Sequence, residues 1–272
     1  MQHPEPRRGG GGDGCLVRTS QFSAGLASSD REVEEGQRLR YRVFADEFGA
    51  CVPGGANGLD RDDLDPFCHH LVVRERRSGT LVGTYRILPA DRARRAGGFY
   101  AEREFDLRQL RSLRADTVEV GRACVHPDFR HGAVIALLWA ALLRYLNACE
   151  SRYVMGCASV GLGAGHDTAA ATCGRLCEEH LGPAPWRVFP YRPFPIRGWS
   201  RETAHEPPAL IRGYLRLGAF VCGEPAWDEG FNTADLLLLL PLSRLNPRYA
   251  RWLLRLGEAP GTSLHPRHVR AA

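Results

Sequence analysis

Residues 117–125 alternate apolar and polar side chains, and residues 133–147 repeat apolar side chains at helical spacing. Alternation at period two is the mark of a strand, and recurrence every three to four residues that of a helix. The same reading along the chain predicts strands at 15–18, 70–74, 81–88, 153–160 and 234–240. Ser78-Gly79 between the second and third of these predicts a hairpin. Helices are predicted at 34–48, somewhere within 97–113, and at 133–147, 167–181, 210–217 and 246–256. Asp30 is the expected cap of the first, with Leu39, Val43 and Phe44 on one face and Phe48 extending it. Residues 51–65 are a Gly- and Asp-rich loop, 182–208 a Pro-rich ordered loop, and 220–231 irregular. Hairpin, strand, helix, strand, helix in that order predicts an α/β sandwich around a mixed sheet.

Composition narrows the class. The chain has 272 residues, 44% apolar and 25% charged, ordinary for a globular protein with a sizeable core. Residues 1–14 are rich in Pro, Arg and Gly and read as a disordered tail; 258–272 read as a flexible C-terminal tail. The domain expected between them is 15–257. A net charge of +5 suits an acidic partner or an anionic membrane face and is too small to argue for nucleic acid. No apolar run reaches membrane-spanning length, and no apolar segment follows the N-terminus. A cytoplasmic protein with reduced thiols is the expectation for its nine Cys. Cys173 and Cys177 have no second pair to complete a zinc site, and Cys68-His69-His70 runs directly into an apolar strand, so no metal is expected. Ser159 and His166 lack the G-x-S-x-G elbow of a serine hydrolase.

The chemistry concentrates after the 117–125 strand. Pro127 ends its ladder, and Gly132 permits a tight turn into the next helix. The first amides of that helix have no internal partner and can hold a phosphate, with Arg130 and His131 adding positive charge. The physics of this segment alone gives an anion site after a strand.

The strand followed by Arg130-His131-Gly132-Ala133 resembles the pantetheine-phosphate loop of the GNAT superfamily. Ala133-Val134 stands where that loop usually carries a second glycine, a departure shared with members that use acyl carrier protein. A wider set resembles acyl-homoserine-lactone synthases: Leu39-Arg40-Tyr41-Arg42-Val43-Phe44, Asp62-Asp63-Leu64-Asp65, Gly83-Thr84-Tyr85-Arg86 and Glu119-Val120-Gly121-Arg122. Gly97-Gly98-Phe99-Tyr100, Glu104-Phe105-Asp106-Leu107, Gly156-Cys157-Ala158-Ser159 and Phe231-Asn232-Thr233-Ala234-Asp235 are similar to the L-ornithine N-alpha-acyltransferases.

These resemblances imply a GNAT-type fold, a mixed and mostly antiparallel sheet flanked by helices. They imply transfer of a fatty acyl group, 3-hydroxylated or not, to the α-amine of L-ornithine, the first step of ornithine-lipid synthesis. The donor would be an acyl-4′-phosphopantetheine thioester on acyl carrier protein, or acyl-CoA, with no permanently bound cofactor. Another amine acceptor, or a non-catalytic carrier-binding module, remains open. Glu119 is the candidate general base, its alternative being a salt bridge to Arg122 or another Arg; Arg122 is grouped with it as catalytic. Arg40, Phe44, Asp62, Asp65 and Arg86 are the expected acceptor pocket, with a structural ion-pair network as the competing reading. Cys124, Val125, Arg130, His131, Gly132 and Ala133 would hold the pantetheine thioester, with a backbone amide near Cys124 or Val125 as oxyanion donor. The last helix sets Tyr249, Trp252, Leu253 and Leu256 opposite Arg248, Arg251 and Arg255, either to pack on the core or to touch the inner membrane peripherally.

Overall fold

A computed structural model describes residues 14–196 and 198–257. The tails expected at 1–14 and 258–272 lie, apart from Gly14, outside the described residues. In chain order the elements are β1 (Cys15–Arg18), β2 (Phe22–Leu26), α1 (Asp30–Tyr41), β3 (His69–Glu75), β4 (Leu81–Pro89) and α2 (Ala90–Arg95). There follow β5 (Phe105–Asp106), β6 (Thr117–Val125), α3 (Ala133–Ala148), β7 (Tyr153–Gly161), α4 (His166–His180) and β8 (Phe189–Pro190). The chain then forms α5 (Ala209–Leu217), β9 (Phe220–Val221), β10 (Ala226–Asp228), β11 (Thr233–Pro241) and α6 (Pro247–Arg255).

The central sheet runs β1-β2-β3-β4-β6-β7-β11-β10, with β9 also on β11. Every neighbouring pair is antiparallel except β6 and β7. Both faces are covered, which explains the unbroken leucine run of β11. Leu236, Leu238 and Leu240 join the core under α3 and α4, whereas Leu237 and Leu239 join a second core with Phe99, Phe105 and Leu110. The helix α3 presses close to β4, where a Cβ on Gly83 would meet the Val134 side chain at 2.6 Å.

Several elements depart from the sequence expectation for local reasons. Ser29, not Asp30, caps α1, its hydroxyl accepting the Glu32 amide. Asp30 is the first helical residue, where a carboxylate favours the dipole. The helix does not stay α-helical to Phe48: Arg42–Glu47 widen into a π-helical turn, and the Phe48 amide donates to the Val43 carbonyl at 3.2 Å. No α-helix forms within 97–113. Gly97 and Gly98 have φ of 88° and 154°, and the chain beyond makes two 3₁₀ turns, Tyr100–Arg103 and Arg108–Asp116, around β5. Residues 220–231 are not wholly irregular, since β9 and β10 add to the sheet there. The strand β2, Phe-Ser-Ala-Gly-Leu, carries too many small residues to announce itself.

The apolar face of α6 packs inward through Ala250, Leu253 and Leu254. Trp252 stays 48% exposed and stacks on Tyr249. No helix among the described residues is long and apolar enough to cross a membrane.

Candidate active site

The parallel strands β6 and β7 pair only from Thr117↔Tyr153 to Glu119↔Met155. Beyond that point β6 follows β4 to Val125, and β7 follows β11 to Gly161. The strands part, and a cavity of about 820 Å³ opens between them. That volume lies within the range of small-molecule sites. One wall is the π-helical turn with Phe44, Glu47 and Phe48; another is the loop around Phe231.

At one end the cavity reaches the loop before α3. Val125, Phe129, Arg130, Gly132 and Ile135 line it, and Cys124 lies just behind the bend. Gly132 holds a left-handed φ of 95°, which turns the chain into the helix. No side chain caps α3, so its first amides remain available to an anion. Arg130 is already clasped to Glu47, its Nη2 donating to Oε2 at 2.7 Å across the mouth of the cavity. His131 and Ala133 are exposed on the same loop without lining the cavity.

Glu119 lines the cavity where the strands part, and it is 4% exposed. Its carboxylate makes no salt bridge to Arg122. Oε2 accepts the Tyr100 amide at 2.6 Å and Oε1 the Ala101 amide at 2.7 Å. Burial raises the Glu119 carboxyl more than these two amides and Arg86 lower it, leaving it at about 7.

Arg122 sits on a bulge. Between the pairs Thr84↔Cys124 and Arg86↔Gly121, Arg122 and Ala123 both stand opposite Tyr85. Its φ is 54°, unusual for a side chain larger than glycine. The bulge turns the guanidinium onto the cavity wall, 4.4 Å from the Phe231 ring centre and 5.2 Å from that of Tyr100.

Behind this wall lies a buried ion-pair network. Arg40 donates from Nε to Asp60 at 2.8 Å and from Nη2 to Asp65 at 2.9 Å. Arg86 donates to Asp62 at 2.6 Å, and Arg122 lies 3.4 Å from Asp60 and 3.6 Å from Asp62. Three guanidinia therefore meet three carboxylates, and their charges balance. Of the expected acceptor residues, Phe44 and Arg86 reach the cavity; Arg40, Asp62 and Asp65 face each other behind it. Asp60, a full member of the network, was not expected from the sequence.

A second acidic group also escaped the sequence reading. Carboxylate oxygens of Glu104, Asp228 and Asp235 lie within 4.8 Å of one another. Asp235 lines the cavity, as do Tyr100, Cys157 and Ser159 around it. The Tyr100 hydroxyl donates to Asp228 at 3.4 Å, and Thr233 donates to Asp235 at 2.7 Å. Ser159 therefore serves Asp235 rather than His166, whose ring packs between Phe194 and Trp227.

Residues 39–140 match the acetyltransferase (GNAT) domain model. The chain is 36% identical to the L-ornithine N(alpha)-acyltransferase of Rhodobacter capsulatus over 87% of its own length and 96% of that protein. The chain belongs to the L-ornithine N(alpha)-acyltransferase family. The enzyme of the same name from Agrobacterium fabrum is 32% identical, over 87% of this chain and 86% of that one. Among solved structures, the fold resembles the acyl-homoserine lactone synthase BjaI, at a TM-score of 0.50 and 17% identity over 88% of both chains. It also resembles FeeM, an N-acyl amino acid synthase, at a TM-score of 0.51 and 13% identity over 86% of this chain and 99% of that one. The GNAT fold with its mostly antiparallel sheet is thus the one found here, and family membership makes the chain an N-acyltransferase.

Proposed function

We propose that this protein transfers a fatty acyl group from a pantetheine thioester to the α-amine of L-ornithine. The observation that carries the reading is the kinship with L-ornithine N(alpha)-acyltransferases over 87% of the chain. The cavity adds a physical reason. It runs from free helix amides, suited to a phosphate, past a buried carboxylate to a cluster of acids, suited to an amine.

The reaction is aminolysis. The α-amine attacks the thioester carbonyl, the C–N bond forms, the C–S bond breaks, and the thiol leaves with a proton. Parted strands let the pantetheine arm lie along β6 as a further strand would, so its carbonyl meets backbone amides near Cys124 and Val125. One such donor to the oxyanion contributes on the order of 10²–10³-fold. Glu119 receives the proton of the attacking amine through its lone pairs not engaged by Tyr100 and Ala101. A base of this kind contributes on the order of 10²–10⁴-fold. Holding both reactants in one cavity adds the effect of proximity.

The donor we assign is acylated carrier protein. Support comes from Ala133-Val134 in place of a glycine and from the net positive charge of +5, which complements an acidic carrier. Mass spectrometry of products from purified protein, acylated carrier protein and a panel of amino acids tests the reading. N-acyl-ornithine is the expected product. Acylation of other amines with ornithine left unmodified would remove the acceptor assignment, and activity with acyl-CoA alone would remove the donor.

A further inference from the structure

We propose that Asp235, backed by Glu104 and Asp228, binds the side-chain ammonium of the acceptor amino acid, while Arg122 binds its α-carboxylate. This rests on the acyltransferase reading and adds how the site selects a dibasic amino acid.

The carboxylates behind Arg86 and Arg40 cannot do this. Asp60 and Asp65 accept hydrogen bonds from Arg40, and Asp62 accepts one from Arg86, each within 2.9 Å. A further cation would have to displace one of them. Glu104, Asp228 and Asp235 stand differently. None of the three forms an ion pair among the described residues. Both Glu104 oxygens are shut off from solvent, with the Tyr100 hydroxyl and the Cys157 thiol beside them and no cation among the described residues. Burial, and then the adjacent Asp235, push the Glu104 carboxyl well up; burial likewise raises Asp235. Crowded, buried carboxylates of this kind favour a positive guest, which would restore their ionised forms. An ammonium has three donors and one positive charge, and it meets acceptors on several sides.

Arg122 supplies an independent observation. Its side chain is 10% exposed and on the cavity wall; Nε lies 3.4 Å from Asp60 and Nη2 3.6 Å from Asp62, and Nε makes no hydrogen bond with either. A guanidinium held by two long ion pairs rather than by hydrogen bonds keeps donors for a carboxylate. The Tyr100 ring bridges the two features: Arg122 lies over its face, and its hydroxyl reaches Asp228. An amino acid laid along Tyr100 places its α-amine between the ends, in the part of the cavity that Glu119 lines.

The test compares ornithine with 2-aminopentanoate, the same chain without its δ-amine, as substrates of the full-length enzyme. A site built to hydrogen-bond an N–H rejects the analogue lacking it by on the order of 10²-fold or more. Wild type is expected to prefer ornithine by at least that factor in kcat/KM. Asp235→Asn should erase most of the preference by raising the KM for ornithine, with kcat and the KM for 2-aminopentanoate little changed. Glu104→Gln should do the same to a smaller degree and serves if Asp235→Asn does not fold. Equal use of both substrates by wild type overturns the proposal. So does a loss of kcat in the variants that is equal for both substrates. Activity that chelation abolishes and magnesium restores would make the cluster a metal site and overturns it too. Calorimetry on donor-free protein separates the two readings. Ornithine binding without any acylation sinks the acyltransferase reading alone, and acylation without ornithine selectivity sinks this one alone.

Discussion

The Tyr100 amide donates to the Glu119 carboxylate at 2.6 Å, so the candidate base and the ring beside the acceptor cavity are fixed to each other. Glu119 therefore has two tasks, holding the Tyr100 turn and accepting a proton. They are separable by pH. Burial raises its carboxyl to about 7. Only the ionised form takes a proton from the amine, so kcat/KM should rise with pH up to about 7 and level off above. Glu119→Gln keeps an acceptor for one amide and removes the titration. It should lower kcat by roughly 10²–10⁴-fold and abolish that limb of the profile. A variant that retains the limb would place the ionisation elsewhere and leave Glu119 as a positioning residue.

Asp62 predicts the opposite pH behaviour, in stability rather than rate. Burial alone raises its carboxyl, but Arg86, with Arg122 beyond it, overrides this and holds it at about 2. A depressed folded pKa gives stability that is full above the unfolded value of 3.8 and lost as pH falls toward about 2. The amount is about 2 kcal/mol. Asp62→Asn leaves Arg86 buried with a weaker partner in Asp65, 3.6 Å away, and should cost about 3 kcal/mol at pH 7. Urea unfolding from pH 7 to pH 2 should show the gap between variant and wild type closing in acid. A gap independent of pH would rule out the Arg86 pair as its source.

The strand β6, the turn at Pro127 and Gly132, and the helix α3 were legible because each has a local signature: a period, a missing donor, a left-handed glycine. Arg40, Asp62, Asp65 and Arg86 were legible as a charged set and not as an arrangement. Whether Arg40 faces substrate or Asp65 depends on how α1 crosses the sheet, which no local pattern encodes. The Glu104, Asp228 and Asp235 cluster was invisible for the same reason. Glu104 closes a 3₁₀ turn far upstream of Asp228 and Asp235, which share the β10–β11 hairpin, and only the tertiary fold brings turn and hairpin together. The 97–113 segment misled because its apolar spacing suits a helix, whereas Phe105 and Asp106 pair with Pro190 and Phe189 and split it into two 3₁₀ turns.

Gly213 on α5 packs face to face with Trp139 of α3, and a Cβ at this position would fall within the indole ring. The ring is buried and cannot swing aside freely. Gly213→Ala should therefore destabilise by about 1–3 kcal/mol despite the better helix propensity of alanine. Gly163→Ala, with nothing within 4 Å of its Cβ, is the control and should change stability little. A lower urea midpoint for the first variant only, with unchanged slope, is the expected result. Equal midpoints would mean that α5 shifts away from α3 at no cost.

The donor end of the cavity yields the last prediction. Gly132 has a φ of 95° and open space around its missing Cβ, so an alanine there is strained without clashing. Strain of this kind costs on the order of 1–2 kcal/mol. The chain can relieve it by rotating the first turn of α3, and the amides of that turn are the ones we assign to the pantetheine phosphate. Gly132→Ala should thus raise the KM for the acylated carrier roughly tenfold while leaving the KM for ornithine unchanged. Arg130→Ala removes a charge at the same mouth and frees Glu47. It should raise the donor KM as well, and added salt should then weaken donor binding less than in wild type. Steady-state kinetics with each substrate varied in turn, at low and high salt, reads all three effects. A rise in the ornithine KM with the donor KM unchanged would reverse the assignment of the two ends.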